Sequence, residues 1–207
     1  MNHSAPRPLP REFYLQDTVD VARALLGCTL WRRIEGELLS ARIVETEAYL
    51  GANDPASHTR RGLRTPRNES MYLDGGHVYV YFTYGMHFCM NVVTQERDVP
   101  EAVLLRGAQP LGGLDKIRAN RSKVRNEYDL MNGPGKICMA MGIDRELDGE
   151  TLQGRALFLT ARESPVADDD IMVTPRIGVD SAGEAAHWPL RFFLGGNRYV
   201  SMYRLYR

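Results

Sequence analysis

Lysine is almost missing from this 207-residue chain: it occurs only at 116, 123 and 136, so nearly all of the 26 basic residues are arginine. No lysine falls at a recognisable pocket position, which excludes imine chemistry from the expected site. Cysteine is also scarce. Its three residues (Cys28, Cys89, Cys138) are odd in number and contain no CxxC pair, which excludes a disulfide frame and a paired-cysteine zinc site and points to buried thiols in a reducing compartment. The histidines show no metal-ligand spacing. No stretch approaches the roughly 20 apolar residues of a membrane span. The start, MNHSAPRPLPREF, lacks the apolar region of a signal peptide and reads as a proline-stiffened, flexible lead-in over residues 1–12. Repeats, low-complexity tracts and linkers are missing too, so residues 13–207 are expected to form a single domain of ordinary composition, 43% hydrophobic and 25% charged.

Net charge is zero, with 26 basic and 26 acidic residues. That weighs against a domain that is basic overall, but the charges are unevenly spread. Arg60, Arg61, Arg64 and Arg67 fall within eight residues, and Arg118, Arg121, Lys123 and Arg125 within another eight, while acids gather at Asp168-Asp169-Asp170. Arginine suits bidentate phosphate contacts. A solvated face would carry the same residues.

Two segments carry most of the information. In Ile43-Val44-Glu45-Thr46-Glu47-Ala48-Tyr49, an extended strand places Glu45, Glu47 and Tyr49 on one face and Val44, Ala48 and Leu50 on the other, in the core. Two carboxylates beside an aromatic suit chemistry on a flat substrate. The segment HVYVYFTYGMHFCMN (77–91) reads as two strands joined at Tyr84-Gly85-Met86. That turn sets Thr83 opposite His87, Tyr81 opposite Cys89 and Tyr79 opposite Asn91. Val78, Val80 and Phe82 then meet Val92, Met90 and Phe88 on a buried face. Tyr84 stands at the tip, where turns usually carry small polar residues. Taken alone it could be a stray exposed aromatic or an anchor for another protein.

Elsewhere Asp17–Leu26 predicts a short helix capped by Asp17 and stopped by Gly27, followed by a strand over Cys28–Ile34 and a Glu35-Gly36 turn into the glutamate strand. Asn53–Asn68 is a long polar loop, a length that usually has a functional purpose. A further strand is expected over Ala102–Arg106, with Leu104 and Arg106 on one face. Helical patterns lie near Leu114–Val124 and Gly135–Met141, with Gly133 and Pro134 as candidate breaks. Short strands are expected over Ala156–Thr160, Arg191–Leu194 and Tyr199–Met202.

Motifs spread in order over most of the chain resemble the alkyladenine (3-methyladenine) DNA glycosylases, the family also called alkylpurine or N-methylpurine glycosylases. They are RIVETEAYLG (42–51), SHTRRGLRTPRN (57–68), VYVYFTYGMHFCMNVV (78–93), AVLLRG (102–107), NGPGKICMAMGI (132–143), RIGV (176–179) with AGE (182–184), and PLRFF (189–193). The resemblance implies an α+β single domain around a curved, mostly antiparallel sheet with a protruding aromatic β-hairpin. It implies a hydrolase of N-glycosyl bonds that flips damaged purines from double-stranded DNA and releases them with an activated water.

Such hydrolysis needs a carboxylate that deprotonates the water and balances charge on the sugar. Flipping costs a few kcal/mol, which stacking, worth ~1–3 kcal/mol per base, can offset. Carried over residue by residue, the resemblance makes Glu47 the general base, with Arg106 and the main-chain carbonyl of Ile177 positioning the water. Tyr49 is one wall of the base pocket, with His58 and Tyr81 opposite and Tyr79 as a wall or support. The His58 N–H tests the base edge. Asn91 obstructs the 2-amino group of guanine. Tyr84 intercalates with Met86 beside it, and Arg64, Thr65 and Arg67 resemble a stretch that contacts the DNA backbone. Glu45 is expected to be structural. No metal and no cofactor are implied, nor any membrane. A monomer is expected, cytoplasmic and nucleoid-associated in a bacterium or nuclear in a eukaryote, leaving an abasic site for other repair enzymes. The lesions would be 3-methyladenine, 7-methylguanine and, where protonation is supplied, hypoxanthine and ethenoadenine. Departures from the vertebrate pattern fall in the short N-terminus, at His87, over Arg118–Leu130 and in the tail. Two other classes use similar residues: a non-catalytic binder of distorted nucleic acid, and a nucleoside or RNA N-glycoside hydrolase. An intact Glu47 and Arg106 disfavour the first, and the arginine loop and Tyr84 would be idle in the second.

Overall fold

The structure, a computed structural model, describes residues 6–83 and 85–202. Two short helices, α1 (Arg11–Tyr14) and α2 (Thr18–Ala24), open the chain. Asp17 caps α2, its Oδ1 accepting the N–H groups of Val19 at 2.9 Å and Asp20 at 3.3 Å. Within the lead-in, Leu9 is buried and donates its N–H to Leu159 O at 2.7 Å, so that part of the segment is fastened to the sheet.

The strands are β1 (Thr29–Ile34), β2 (Glu37–Tyr49), β3 (Val78–Thr83), β4 (His87–Thr94), β5 (Glu101–Gly112), β6 (Leu157–Thr160), β7 (Ile171–Thr174) and β8 (Arg191–Leu194), with α3 (Leu114–Asn120) and α4 (Pro134–Met141) between β5 and β6. They form one curled antiparallel sheet ordered β3-β4-β5-β2-β1-β6, with β8 paired to β2 and β7 to β8. The fold is α+β, as the sequence led one to expect. Gly36 (φ 82°) lets β1 turn into β2. Gly133 and Pro134 do not break α4 but start it, with Gly133 at the N-cap and Pro134 in the first turn, where a missing N–H costs nothing.

The core lies on one face of the sheet, where Leu39, Ala41, Ile43, Ala48, Val103 and Leu105 meet Val21, Ala22 and Leu25 of the α2 region and Ile137, Cys138 and Met141 of α4. Strict alternation from Leu39, Ala41 and Ile43 would carry Glu45, Glu47 and Tyr49 into that core. Two irregularities prevent it. Ile43 pairs with Ala108 but Glu45 with Gly107, and Thr46 with Leu105, so Val44 and Arg106 are extra residues in their strands. After the bulge it is Thr46 that faces inward, its Oγ1 donating to Ala22 O at 2.9 Å. The expectation that Val44 belongs to the same core as Ala48 is therefore corrected. Val44 packs separately with Phe193 and Val200, on the side of Glu45.

The β3–β4 register is the expected one, from Val78 opposite Val92 to Thr83 opposite His87. Tyr84 lies outside the described residues. Phe82 is not buried as expected: it is 46% exposed, touching Phe88 at 5.0 Å between ring centroids, because the strands have run past the edge of the core there. Residues 199–202 form turns and not a strand. Asn197 Oδ1 accepts the Tyr199 N–H, and Ser201 turns inward to Glu45. β7 was not expected from the sequence.

Candidate active site

The phase shift in β2 and β5 sets Glu45, Glu47, Tyr49 and Arg106 together on the sheet face away from the core. Glu47 is fully buried. Its Oε1 accepts the Ile177 N–H at 2.8 Å and lies 3.4 Å from Arg106 Nε. Its Oε2 accepts the Tyr49 hydroxyl at 3.0 Å and faces Arg106 Nη1 at 3.5 Å. Burial pushes the Glu47 carboxyl above its ordinary value, against the pull of the Arg106 guanidinium and the Ile177 N–H. Ile177 thus meets the carboxylate through its N–H, a contact separate from the water-positioning role expected of its carbonyl.

Tyr49, Arg106 and Ile177, the three groups that hold Glu47, also line a cavity of about 580 Å³. His58, Tyr79, Tyr81, Asn91 and Leu104 line it too, so the expected pocket residues are brought together. The His58 ring meets Tyr81 edge-on at 4.5 Å, and its Nδ1 is 2.9 Å from the Tyr79 hydroxyl. Tyr79 is buried and stacks behind Tyr81 at 5.4 Å; burial pushes its phenol up to about 12. Burial, with Arg67 and Arg60 nearby, lowers the His58 imidazole below its ordinary value, so it is uncharged at neutral pH and does not repel a cationic guest. Asn91 donates through Nδ2 to Tyr79 O at 3.1 Å, which fixes the amide on the cavity wall. Aromatic walls and a carboxylate directly behind the lining residues Tyr49, Arg106 and Ile177 suit a flat heterocycle.

The cavity is also lined by His87, Arg121, Lys136 and Met139. A lysine at the pocket was not expected, and Lys136 corrects that: α4 begins beside His87 and carries it there. Its ammonium is held by Asn132 Oδ1 at 2.6 Å and faces Asp129 at 3.8 Å.

Glu45 differs from its neighbour. Its Oε1 takes Arg191 Nε and Ser201 Oγ, each at 2.7 Å, and its Oε2 takes the Ser201 N–H at 2.6 Å. The arginine stretch is mixed. Arg64 is paired with Glu69 and Asp98 at 2.6 Å and 2.7 Å. Thr65 is bound within its turn by Asn68 Oδ1. Arg67 is exposed and donates to Phe82 O at 3.2 Å. Met86 is 68% exposed beside the hairpin tip.

Sequence reasoning missed three residues that shape the loops. Asn68 is buried and ties the carbonyls of His58 (3.0 Å) and Leu63 (2.9 Å) through Nδ2. Asp54 and Arg176 form a pair with fully buried side chains. Their signal was a lone acid in the long polar loop and a lone arginine in the RIGV motif, with nothing in either to join them across 122 residues.

A family profile described as Methylpurine-DNA glycosylase (MPG) matches residues 12–198. A protein of Bdellovibrio bacteriovorus named "Putative 3-methyladenine DNA glycosylase" is 49% identical over 93% of this chain and 98% of its own length. Proteins with the same name from Carboxydothermus hydrogenoformans (47% identical; 93% of this chain and 98% of their own) and Desulfitobacterium hafniense (46%; 94% and 98%) are similar to the same extent.

Proposed function

Since this chain belongs to the methylpurine-DNA glycosylase family, we propose that it releases alkylated or deaminated purines from duplex DNA with a water activated by Glu47. The observation that carries this reading is the buried Glu47 carboxylate, held by Ile177 and Tyr49 and set beside Arg106 at one end of an aromatic-walled cavity. In the reaction the water oxygen bonds to C1′ and the water proton passes to Glu47. The C1′–N bond breaks with its electron pair going to the base. Glu47 also offsets positive charge on the sugar, and Arg106 holds the carboxylate in place.

Cationic 3-methyladenine and 7-methylguanine leave with their charge neutralised and need no acid. Neutral hypoxanthine and ethenoadenine require a proton. Tyr49, Tyr81 and His58 enclose the flipped base, Asn91 meets the edge where guanine carries its amino group, and Tyr84 fills the gap in the helix. Incubation with duplexes each carrying one defined lesion, followed by alkaline cleavage of abasic sites, tests the activity. Strand breaks only after alkali support the reading; no breaks with any purine lesion contradict it. Tyr84→Ala is expected to lose the fluorescence change that a stacked ethenoadenine shows on flipping, and an unchanged signal removes Tyr84 from that role.

A further inference from the structure

We propose that Arg176 and Asp54 are positioning residues that hold the Tyr49 wall and the Ile177 N–H in register around Glu47. The inference rests on the glycosylase reading above. Arg176 and Asp54 are paired through both guanidinium Nη atoms, Nη2 donating to Oδ1 at 2.9 Å and Nη1 to Oδ2. Nη1 also donates to Ala48 O at 3.0 Å, one residue after Glu47 and one before Tyr49. Asp54 accepts the Leu50 N–H at 3.1 Å and the Ala56 N–H at 2.9 Å, closing the turn between Tyr49 and His58. The guanidinium carbon lies 4.7 Å from the centre of the Tyr49 ring. Arg176 is absent from the cavity lining, to which Tyr49 belongs, so it supports that ring from behind.

The residue after Arg176 is Ile177, whose N–H reaches Glu47 Oε1 at 2.8 Å. One buried ion pair thus fastens three separate pieces of chain: the end of β2, the turn at Asp54 and the segment carrying Ile177. A surface pair would do this weakly. This one has both side chains fully buried, so either partner left alone would be a desolvated charge. Neither residue touches the cavity, so neither can contact the base.

The chemistry is sensitive to this arrangement because Glu47 accepts few strong hydrogen bonds. Arg106 faces it from β5, Glu45 and Tyr49 from its own strand, and Tyr81 and Cys89 from the hairpin. Arg191 pairs opposite it on β8 but is committed to Glu45. The Ile177 N–H is the shortest donor to Glu47, and it favours the ionised form that accepts a proton from water. Loosening the segment at Arg176 removes that donor and moves the reactive groups by fractions of an ångström.

Asp54→Asn and Arg176→Lys test this. Asparagine loses the charge, and lysine keeps it without the two-pronged grip. In both, single-turnover base release is expected to fall by roughly a hundredfold, the size of loss that a small misplacement produces. Affinity for a lesion duplex, dominated by backbone contacts, should change by less than about threefold. The acid limb of the rate should move to higher pH, because Glu47 loses a donor that favours its ionised form. A merely structural role would lower the melting temperature without moving that limb. Folded variants with rates within about threefold of wild type and an unmoved limb overturn the proposal. If neither variant folds, the Ile177 amide proton in the wild-type protein decides: its NMR shift should titrate with the midpoint of the acid limb, and a shift that does not follow it overturns the proposal. Glu47→Gln serves as the control. Base release surviving in Glu47→Gln overturns the glycosylase mechanism itself, whereas loss there without loss at Asp54 or Arg176 overturns only the positioning role.

Discussion

Glu45 and Glu47 stand two residues apart on one strand, on one face, both with no exposed surface, yet their surroundings differ. Glu45 has its two oxygens occupied by three short hydrogen bonds, from Arg191 Nε and from the Ser201 hydroxyl and N–H. Glu47 has one short bond, from Ile177, a phenol at 3.0 Å, and only long contacts with Arg106. Arg106 stands between the two, its Nε 3.3 Å from Glu45 Oε1 and 3.4 Å from Glu47 Oε1, but the other partners of Glu47, Tyr49 and Ile177, line the cavity, whereas those of Glu45 are Arg191 of β8 and Ser201. A carboxylate whose oxygens are all taken by short donors has no lone pair free for a water. One that burial pushes above its ordinary value, with few strong donors, is ready to take a proton. Position on a strand face therefore does not define a catalytic group; the donors around it do.

The largest effect should follow from breaking the more reactive of the two. Glu47→Gln is expected to lower single-turnover base release on the order of a thousandfold, the scale of a positioned general base, while lesion-duplex affinity is kept. Because burial raises the folded-state value of Glu47, its ionisation opposes folding: the stability linked to this group is full below the ordinary carboxylate value and lost as pH rises through the folded one. The glutamine variant should therefore melt no lower than wild type at neutral pH, and any advantage should shrink on acidification. Base release within a small factor of wild type would move the role to another group.

The converse change sharpens the contrast. Glu45→Gln leaves Arg191 buried without its full counter-charge, and should cost about 3 kcal/mol in denaturant unfolding, the lower end for breaking a buried pair. Base release per folded molecule should stay within about tenfold of wild type, a loss of ~1.4 kcal/mol in barrier at most. A stable but inactive Glu45→Gln protein would reverse the assignment.

Asn91→Ser carries a smaller effect and acts on the opposite wall. The amide is fixed by Tyr79 O; if it obstructs a 2-amino group as proposed, shrinking it should raise excision of guanine-type bases relative to hypoxanthine by about tenfold, typical of relieving one steric obstacle. A flat ratio of 7-methylguanine to hypoxanthine excision in paired duplexes would show that Asn91 is not the gate.

Much of this was legible in the chain. The hairpin register follows from period-two alternation around Gly85, which puts Tyr79, Tyr81 and Asn91 on one face, the face that lines the cavity. The α2 helix was marked by Asp17. What alternation could not give is the reversal of phase in β2. Val44 was assigned to the core because a regular strand puts it with Ala48, and a bulge depends on partner residues in β5, some 60 positions away. Its trace was available only in retrospect: Gly107, where an added Cβ would lie 2.8 Å from Tyr199 O and 2.9 Å from Glu45 Oε2. The Asp54–Arg176 pair was hidden for the same reason, since a long-range ion pair leaves no periodic signal. Lys136 falls within the expected Gly135–Met141 helix, but a helical pattern does not say which cavity its first turn faces. Arg64, in the stretch that resembles a DNA-backbone contact, has its fork on Glu69 and Asp98.

The central claim, that Glu47 and not Glu45 takes the proton from water, is tested most directly by the pH profile of single-turnover base release in wild type and both glutamine variants. Wild type should lose activity on acidification with a midpoint above the ordinary carboxylate value, as the raised Glu47 becomes protonated. The limb should persist in Glu45→Gln and vanish from the residual activity of Glu47→Gln. An acid limb that survives in Glu47→Gln, or disappears in Glu45→Gln, would contradict the account.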